Sequence, residues 1–292
     1  MKENMQIVAL LCLFLCCMQT AGSEKISLIS EEKKSIPLNM VEDAVDDMYF
    51  GCNETMMKMI NKYFEKEKNE PFGEVWNSSE SCTNRSLEYQ KNETEDKALT
   101  KDHMQAICVY TSNHIYDNKS HDEFYKTFNT AVRTNRNIYR TAFKFHFLHF
   151  WLTSAVQTLN NEKKCHTSYR RTSSNFTGDV NQTIRFGSFA STSYDTTLTV
   201  FGNETCFKIK TCLGAFLKKY SYFEDEEEVL IPPYEKFKIK EKIQDKSVEG
   251  LNDCEVVYIL ESDGIASNLN CQVANQANDK WFFNRWSKVK TK

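Results

Sequence analysis

The chain has 292 residues, of which 40% are hydrophobic and 26% are charged, so it is long enough to bury a sizeable core and is not a disordered chain. Because the formal net charge is only -3, the chain lacks the global basic field that binds nucleic acid. Nine glycines and four prolines are few for this length, so we expect most of the chain to lie in regular elements.

Residues 1–22 have the pattern of a secretory signal peptide. Lys2 precedes a 12-residue apolar run, residues 7–18, and small residues follow as far as Gly22. A helix of that length rises about 18 Å, which is too short for a hydrocarbon core of roughly 30 Å, so a signal is favoured over a membrane anchor. Residues 281–292 form a basic tail whose end, residues 286–292, is polar and basic, so it does not resemble a lipid-anchor signal. We therefore expect a secreted protein.

The number and position of the cysteines are consistent with a secreted protein. Three of the 11 cysteines lie within residues 1–22, which leaves eight for the mature chain. An even number in an oxidising compartment favours up to four disulfides, and the spacing with histidine does not suggest zinc. Eight Asn-x-Ser/Thr sequons fit the same route, and the four from Asn77 to Asn118 indicate a solvated region.

Helical patterns come first along the chain. Apolar residues at mixed three and four spacing predict one or two amphipathic helices within residues 39–66, whereas residues 67–100 look like loop. Helical patterns return from residue 101, over residues 122–135, and over residues 137–159, where an apolar centre predicts a buried helix. His146 and His149 lie in this last helix, and we interpret them as hydrogen-bonded core residues instead of ligands.

After Cys165 the hydrophobic period changes to two. Short runs rich in β-formers occur at residues 183–186, 206–210, 234–239 and 255–260, separated by polar or proline-containing turns. Because the strands are not interleaved with crossover helices, the pattern predicts an α+β fold and not a doubly wound parallel sheet. A single domain is expected over residues 45–280, with a helical part at 45–160, a strand-rich part at 165–275, and an N-terminal extension at 23–44.

Four segments of the strand-rich half carry the functional signal. They are Tyr169-Arg170, residues 185–193 with Ser191-Thr192-Ser193, residues 211–215, and residues 225–233 with Glu226-Glu227-Glu228 before an apolar run and Pro232. In this order they resemble the arginine-specific mono-ADP-ribosyltransferases of the vertebrate extracellular family, whose signature is an Arg, a Ser-x-Ser strand and a Glu-x-Glu strand start. The similarity runs from about Asp46 to Cys271 and implies an NAD-binding core of that type, with the helical part packed on it.

The acidic pair also has a physical interpretation of its own. In a strand, alternate side chains share a face, so Glu226 and Glu228 are predicted to point into one cleft while Glu227 faces away. Two carboxylates on one face raise each other's pKa, and they suit a reaction with a cationic intermediate and a cationic acceptor. Removing nicotinamide from NAD leaves such a cation, a ribosyl oxocarbenium ion, as in glycoside hydrolysis.

The resemblance implies a role for each catalytic candidate. Glu228 would bind the ribose 2′-hydroxyl and stabilise the cation, and Glu226 would orient the acceptor guanidinium and help to deprotonate it. Ser191 would position Glu228, while Arg170 would meet the pyrophosphate or the neighbouring ribose through its planar fork of donors.

Further NAD contacts are implied at Tyr110, Ser188 and Ser221. The family usually has a glycine after the signature arginine, and the Arg171 found here is expected to add a charge near the cleft. The resemblance also pairs Cys52 with Cys271 and Cys165 with Cys212. The remaining cysteines allow three pairings, of which we prefer Cys82–Cys108 with Cys206–Cys254.

The expected function is transfer of ADP-ribose from NAD to arginine side chains of extracellular or cell-surface proteins, without a metal, a membrane anchor or nucleic acid. One alternative is NAD hydrolysis in the same site, with water as the main acceptor. A second alternative, from another class, is a catalytically silent secreted binding protein that kept the scaffold.

Overall fold

The computed structural model describes residues 35–69, 72–112, 115–117, 122–160 and 164–275, so the predicted signal peptide and basic tail lie outside the described residues. Six α-helices occur there: α1 Asn53–Glu67, α2 Phe72–Ser78, α3 Glu80–Gln90, α4 Lys101–Thr111, α5 Phe124–Thr134 and α6 His146–Leu159. The strands are β1 Ile36–Pro37, β2 Ile115–Asp117, β3 Asp122–Glu123, β4 His166–Thr172, β5 Phe176–Thr177, β6 Thr183–Ile184, β7 Ala190–Ser193, β8 Thr205–Thr211, β9 Ala215–Phe216, β10 Glu228–Ile231, β11 Glu235–Ile243 and β12 Val256–Ile265. The predicted α+β order is confirmed.

The segment at residues 67–100 was predicted as loop, and that prediction is wrong. It contains α2 and α3. Helix α2 buries Phe72, Val75 and Trp76 in the main core, but it is short. Helix α3 turns Cys82, Thr83 and Ser86 inward, so its buried face lacks the apolar residues on which periodicity depends. The sequon residues Asn77, Asn84 and Asn92 are exposed, which agrees with the expected solvated surface.

Helix α6 begins at His146, nine residues later than the sequence pattern predicted, because Arg136–Ile138 form a separate 3₁₀ turn. The carboxylate of Glu67 accepts hydrogen bonds from the amides of His146 and Phe147, each 3.0 Å long. These are amides that a helix start leaves without an internal partner. The helix therefore begins where a buried carboxylate caps it.

The histidines of α6 are core residues, as interpreted from the sequence. His146 Nε2 lies 2.7 Å from the carbonyl oxygen of Tyr139, and His149 Nδ1 lies 2.8 Å from the hydroxyl of Tyr49. Both rings are buried. Burial lowers the pKa of His149 to about 3, so this ring is neutral at physiological pH.

An eight-stranded sheet forms the second half, in the order β6-β11-β12-β8-β4-β7-β10-β9. Only the β8–β12 pairing among these is parallel, and the other neighbours are antiparallel. The main hydrophobic core joins the helices to the β9–β10 end of the sheet, and a second core covers β6, β8, β11 and β12. The central strands β4, β7 and β10 lie side by side, and they carry the signature residues.

Residues 36–44, predicted as part of an N-terminal extension, pack on this sheet. Strand β1 pairs with β5 in parallel, and Leu38 belongs to the second core. The amide of Arg185 donates to the carbonyl oxygen of Asn39, 3.0 Å away. The folded unit therefore begins before residue 45.

All four expected disulfides are present: Cys52–Cys271, Cys82–Cys108, Cys165–Cys212 and Cys206–Cys254. The first joins the start of α1 to the end of the described chain, 219 residues later. In the chain-entropy model a closed loop of that size contributes roughly 5 kcal/mol of stability. Within the described residues, no helix is long and apolar enough to cross a membrane.

Candidate active site

A cavity of about 440 Å³ lies over strands β4, β7 and β10, beside helices α4 and α5. Its lining brings together five residues singled out from the sequence: Arg170, Ser191, Glu226 and Glu228, and Tyr110 from α4. These residues are far apart in the chain, and the pairing of β4 with β7 and of β7 with β10 makes them neighbours. The helical half closes one side of the site.

Glu228 lies at the start of β10 and is 5% exposed. The Ser221 hydroxyl donates to its Oε2 at 2.9 Å, and Ser191 also bonds to the carboxylate. Burial raises the pKa of Glu228 to about 7, and the charge of Glu226 acts in the same direction. The two serine hydrogen bonds and Arg170 act in the opposite direction and favour the ionised form. The site thus holds a carboxylate that titrates near neutral pH.

Glu226 lines the cavity because of a backbone conformation that the sequence did not predict. Glu224–Glu226 form a 3₁₀ turn, and Glu227 adopts a left-handed backbone conformation with φ of 44°. The strand begins only at Glu228, so strand alternation was the wrong reason for placing the two carboxylates together. The outcome is nevertheless as expected, because Glu226 and Glu228 both line the cavity while Glu227 is exposed. Burial raises the pKa of Glu226 as well.

Arg170 extends from β4 into the cavity. Its Nη1 donates to the carbonyl oxygen of Ser191, 2.6 Å away, which fixes the guanidinium beside β7. Strand alternation turns the guanidinium of Arg171 away from that of Arg170, although Arg171 also lies among the residues that line the cavity. The Arg171 guanidinium donates to both oxygens of Asp253, at 2.8 and 2.9 Å, and to the carbonyl oxygens of Thr196 and Gly250. The charge that Arg171 was expected to add near the cleft is therefore paired with Asp253.

Of the three residues expected to contact NAD beyond the signature, Tyr110 lines the cavity, whereas Ser188 and Ser221 do not. The Tyr110 hydroxyl donates to the carbonyl oxygen of Phe189 and accepts a hydrogen bond from Asn129. Ser221 is buried against Glu228. Ser188 is also buried, and its hydroxyl accepts a hydrogen bond from Nη2 of Arg133 at 2.8 Å.

Sequence reasoning did not identify the residues that bond to the acidic turn, residues 224–227. Nη2 of Arg85, on α3, donates to the carbonyl oxygens of Ser221 and Tyr222 at 2.7 and 3.2 Å, and its Nε lies 2.8 Å from Oε1 of Glu224. On the other side, the Ser193 hydroxyl donates to the carbonyl oxygen of Glu226 at 2.5 Å. In the sequence, Arg85 is marked only by its position between Cys82 and Cys108, and the segment was interpreted as loop. Nothing there predicted a contact with the acidic residues.

The arrangement suits a particular kind of chemistry. A buried carboxylate can stabilise a cation that develops beside it, and a guanidinium can hold phosphate oxygens. A second, half-buried carboxylate at the same cavity can receive a cationic acceptor. Among the described residues, no group of three or more histidine, cysteine, aspartate or glutamate side chains could hold a metal ion.

The fold and this site together are those of an ADP-ribosyltransferase. Residues 38–252 match the family model described as NAD:arginine ADP-ribosyltransferase. Human ecto-ADP-ribosyltransferase 4 is 32% identical over 273 residues, which cover 89% of this chain and 80% of the relative. The erythroblast NAD(P)(+)--arginine ADP-ribosyltransferase of Gallus gallus is 29% identical over 254 residues, covering 83% of this chain and 78% of that one.

Solved structures support the same family assignment. The crystal structure of the eukaryotic mono-ADP-ribosyltransferase ART2.2 matches with a TM-score of 0.65 and 28% identity, covering 81% of this chain and 98% of that one. A variant of ART2.2 solved in complex with NAD gives a TM-score of 0.62. This chain belongs to the NAD:arginine ADP-ribosyltransferase family, and it is an enzyme of that class with NAD as its substrate.

Proposed function

We propose that this protein is a secreted enzyme that transfers ADP-ribose from NAD to arginine side chains of extracellular or cell-surface proteins. Several relatives are named ecto-enzymes, and four disulfides suit an oxidising compartment. The observation that carries the proposal is the cavity in which Glu226 and Glu228 meet, one carboxylate buried and the other nearer the mouth.

Glu228 would act on the NAD side of the reaction. When the bond between C1′ of the ribose and the nicotinamide nitrogen breaks, nicotinamide leaves with the electron pair and positive charge spreads over the ribose. An ionised Glu228 stabilises that charge, and in its ionised form it accepts a hydrogen bond from the ribose 2′-hydroxyl. Ser191 and Ser221 favour the ionised form through the hydrogen bonds that they donate to it.

Glu226 would act on the acceptor side. A guanidinium is a poor nucleophile because its nitrogens carry protons and share the positive charge. The carboxylate of Glu226 pairs with the incoming guanidinium, directs one nitrogen at C1′ and takes a proton from it as the new C–N bond forms. The half-buried position of Glu226 suits this role, because an acceptor protein has to reach it from outside.

Other residues of the cavity would bind NAD. Arg170 points its guanidinium into the cavity, where it can hold phosphate or ribose oxygens, and Tyr110 presents an aromatic ring from α4. The buried positions of Ser221 and Ser188 favour roles through other side chains: Ser221 sets the state of Glu228, and Ser188 holds Arg133.

The test is to incubate the purified mature chain with NAD labelled in its ADP-ribose part and with agmatine, a small arginine analogue. We expect labelled agmatine from the wild type and a loss of at least about 100-fold in Glu228→Gln, since a group that stabilises transition-state charge is removed. Nicotinamide release without labelled agmatine would instead identify an NAD glycohydrolase. No nicotinamide release at all would identify a silent binding protein.

A further inference from the structure

A short turn, residues 217–221, bonds to Glu228 at two points, and we call it the serine turn. The amide of Leu217 donates to the carbonyl oxygen of Glu228 at 2.8 Å, and the Ser221 hydroxyl donates to Oε2 of its carboxylate at 2.9 Å. Leu217 and Ser221 are both fully buried. The position of the Ser221 hydroxyl therefore depends on the shape of this turn.

The serine turn has a strained backbone. Lys218 has a φ of 52°, in the left-handed region that residues other than glycine rarely adopt. Strain of this kind persists only where surrounding contacts hold it, and it is common at functional sites. The amide of Tyr220 donates to the carbonyl oxygen of Leu217 at 3.0 Å, which closes the turn. The contacts that hold Lys218 and Tyr220 are thus part of the arrangement around Glu228.

The carboxylate of Asp96 holds both of these side chains. Its Oδ2 accepts a hydrogen bond from Nζ of Lys218 at 2.8 Å and another from the hydroxyl of Tyr220 at 3.0 Å. Asp96 is 4% exposed, and Gln90, the last residue of α3, fixes its backbone by donating to its carbonyl oxygen at 2.8 Å. Asp96 is not among the described residues that line the active-site cavity, so its link to Glu228 runs through the serine turn.

Resting on the proposed function, in which Glu228 stabilises the reacting ribose, we propose that Asp96 is a positioning residue for Glu228. Its carboxylate holds the strained serine turn through Lys218 and Tyr220, and the turn places the Ser221 hydroxyl on the Glu228 carboxylate. A turn released from Asp96 holds that hydroxyl less well. Because the hydrogen bond from Ser221 favours the ionised carboxylate, weakening it raises the pKa of Glu228.

The direction of the change separates position from charge. Asp96→Asn removes a negative charge, and on charge alone this substitution would lower the pKa of Glu228. Weakening the Ser221 hydrogen bond acts in the opposite direction, so an upward shift reports position. The titratable and charged groups that act on the Glu228 carboxylate from around the cavity are unchanged in every variant: Glu226, Arg170 and Tyr110.

The experiment measures kcat/KM for NAD, by nicotinamide release from pH 5 to 9, in the wild type, Asp96→Asn and Tyr220→Phe. Tyr220→Phe removes the hydroxyl that bonds to Asp96 without a change of charge at neutral pH. We expect both variants to move the acid limb to higher pH by about half a unit or more, since full loss of a hydrogen bond to a carboxylate is worth roughly one unit. The matched control Glu93→Gln removes the carboxylate 3.7 Å from Nζ of Lys218 and should not move the limb upward.

A double variant tests the route from Asp96 to Glu228. When Asp96→Asn is added to Ser221→Ala, the hydroxyl is already absent, so the acid limb should move no further upward than in Ser221→Ala alone. The titration of the Glu228 carboxyl, followed by NMR in protein with isotope-labelled glutamate, should show the same shifts without turnover.

Several outcomes would overturn the proposal. An acid limb that stays in place or moves to lower pH in Asp96→Asn or Tyr220→Phe would do so, as would a further upward shift in the double variant or an equal upward shift in Glu93→Gln. Tyr220→Phe decides the question by itself if Asp96→Asn does not fold. If the wild type released no nicotinamide while the NMR titration of Glu228 still moved upward in the variants, the proposed function would be refuted and the positioning role would stand.

Discussion

Arg85 and Glu224 form an ion pair, with the Nε of the arginine 2.8 Å from Oε1 of the glutamate, and this pair ties helix α3 to the turn that leads to Glu226. The same guanidinium donates to the carbonyl oxygens of Ser221 and Tyr222. The Arg85 side chain therefore bonds both to Ser221, whose hydroxyl donates to Glu228, and to the turn that contains Glu226.

From this relationship we expect Arg85→Ala to lower the ratio of arginine transfer to NAD hydrolysis by about tenfold or more. Small displacements of a positioned group are costly, about 100-fold for roughly 1 Å, and in the proposed mechanism Glu226 serves transfer but not hydrolysis. The ratio follows from measuring labelled agmatine and released nicotinamide in the same sample. Lys91→Ala, which removes an exposed ion pair just beyond the same helix, should leave the ratio unchanged. An unchanged ratio in Arg85→Ala would show that the turn keeps its shape without the arginine.

Glu226→Gln should abolish labelling of agmatine and leave nicotinamide release within about threefold of the wild type. The amide keeps the shape of the side chain but neither pairs with a guanidinium as an ion nor accepts its proton. Glu227→Gln is the matched control, since Glu227 is exposed and is not among the residues that line the cavity, and we expect no change in either product. Persistent transfer by Glu226→Gln would show that another group receives the acceptor.

The kcat/KM for NAD should fall as the pH is lowered through about 7. Burial raises the pKa of Glu228 to about 7. In the proposed mechanism only the ionised carboxylate stabilises the cation, so activity is expected to require deprotonation. Ser221→Ala removes a hydrogen bond that lowers this pKa, so the acid limb of the profile should move to higher pH. A profile from pH 5 to 9 checks both expectations. The interpretation would fail if the acid limb of Ser221→Ala coincided with that of the wild type.

The candidate site could be predicted from the sequence because its motifs, in their order, resemble those of the family, whereas the strand patterns alone did not include β4 or β7. The structure places Arg170 and Ser191 in strands of one sheet, which also contains the strand that begins at Glu228. The conformation between Glu226 and Glu228 could not be predicted in this way. It depends on a left-handed residue, Glu227, and nothing in a run of acidic side chains marks a positive φ.

Helix α3 shows a second limit of the sequence pattern. Its inward face consists of cysteine, threonine and serine, and its buried position depends on the Cys82–Cys108 disulfide and neighbouring elements more than on hydrophobic periodicity. Arg85 lies on this helix, 136 residues before Ser221, so neither its helix nor its partners could be identified locally. Contacts of that range become visible only in the folded chain.

A buried ion pair between Arg185 and Asp46 joins the N-terminal segment to the sheet, and it leads to a prediction about stability. Nη1 of Arg185 lies 2.7 Å from Oδ2 of Asp46, and both side chains are fully buried. Arg185 also donates to the carbonyl oxygens of Met40, Val41 and Ala266, so it joins the N-terminal segment, the sheet and the turn after β12. Removing one partner of such a pair leaves a buried charge and several acceptors without donors.

Arg185→Met should therefore lower the free energy of unfolding by about 3–5 kcal/mol. Adding Asp46→Asn should restore part of that loss, since the unpaired charge is then gone. Lys68→Met, which breaks an exposed pair with Glu65, should cost no more than about 1 kcal/mol. Urea unfolding with the disulfides intact measures all three variants. If Arg185→Met were no more destabilising than Lys68→Met, or if adding Asp46→Asn deepened the loss, the buried pair would not hold the N-terminal segment to the sheet.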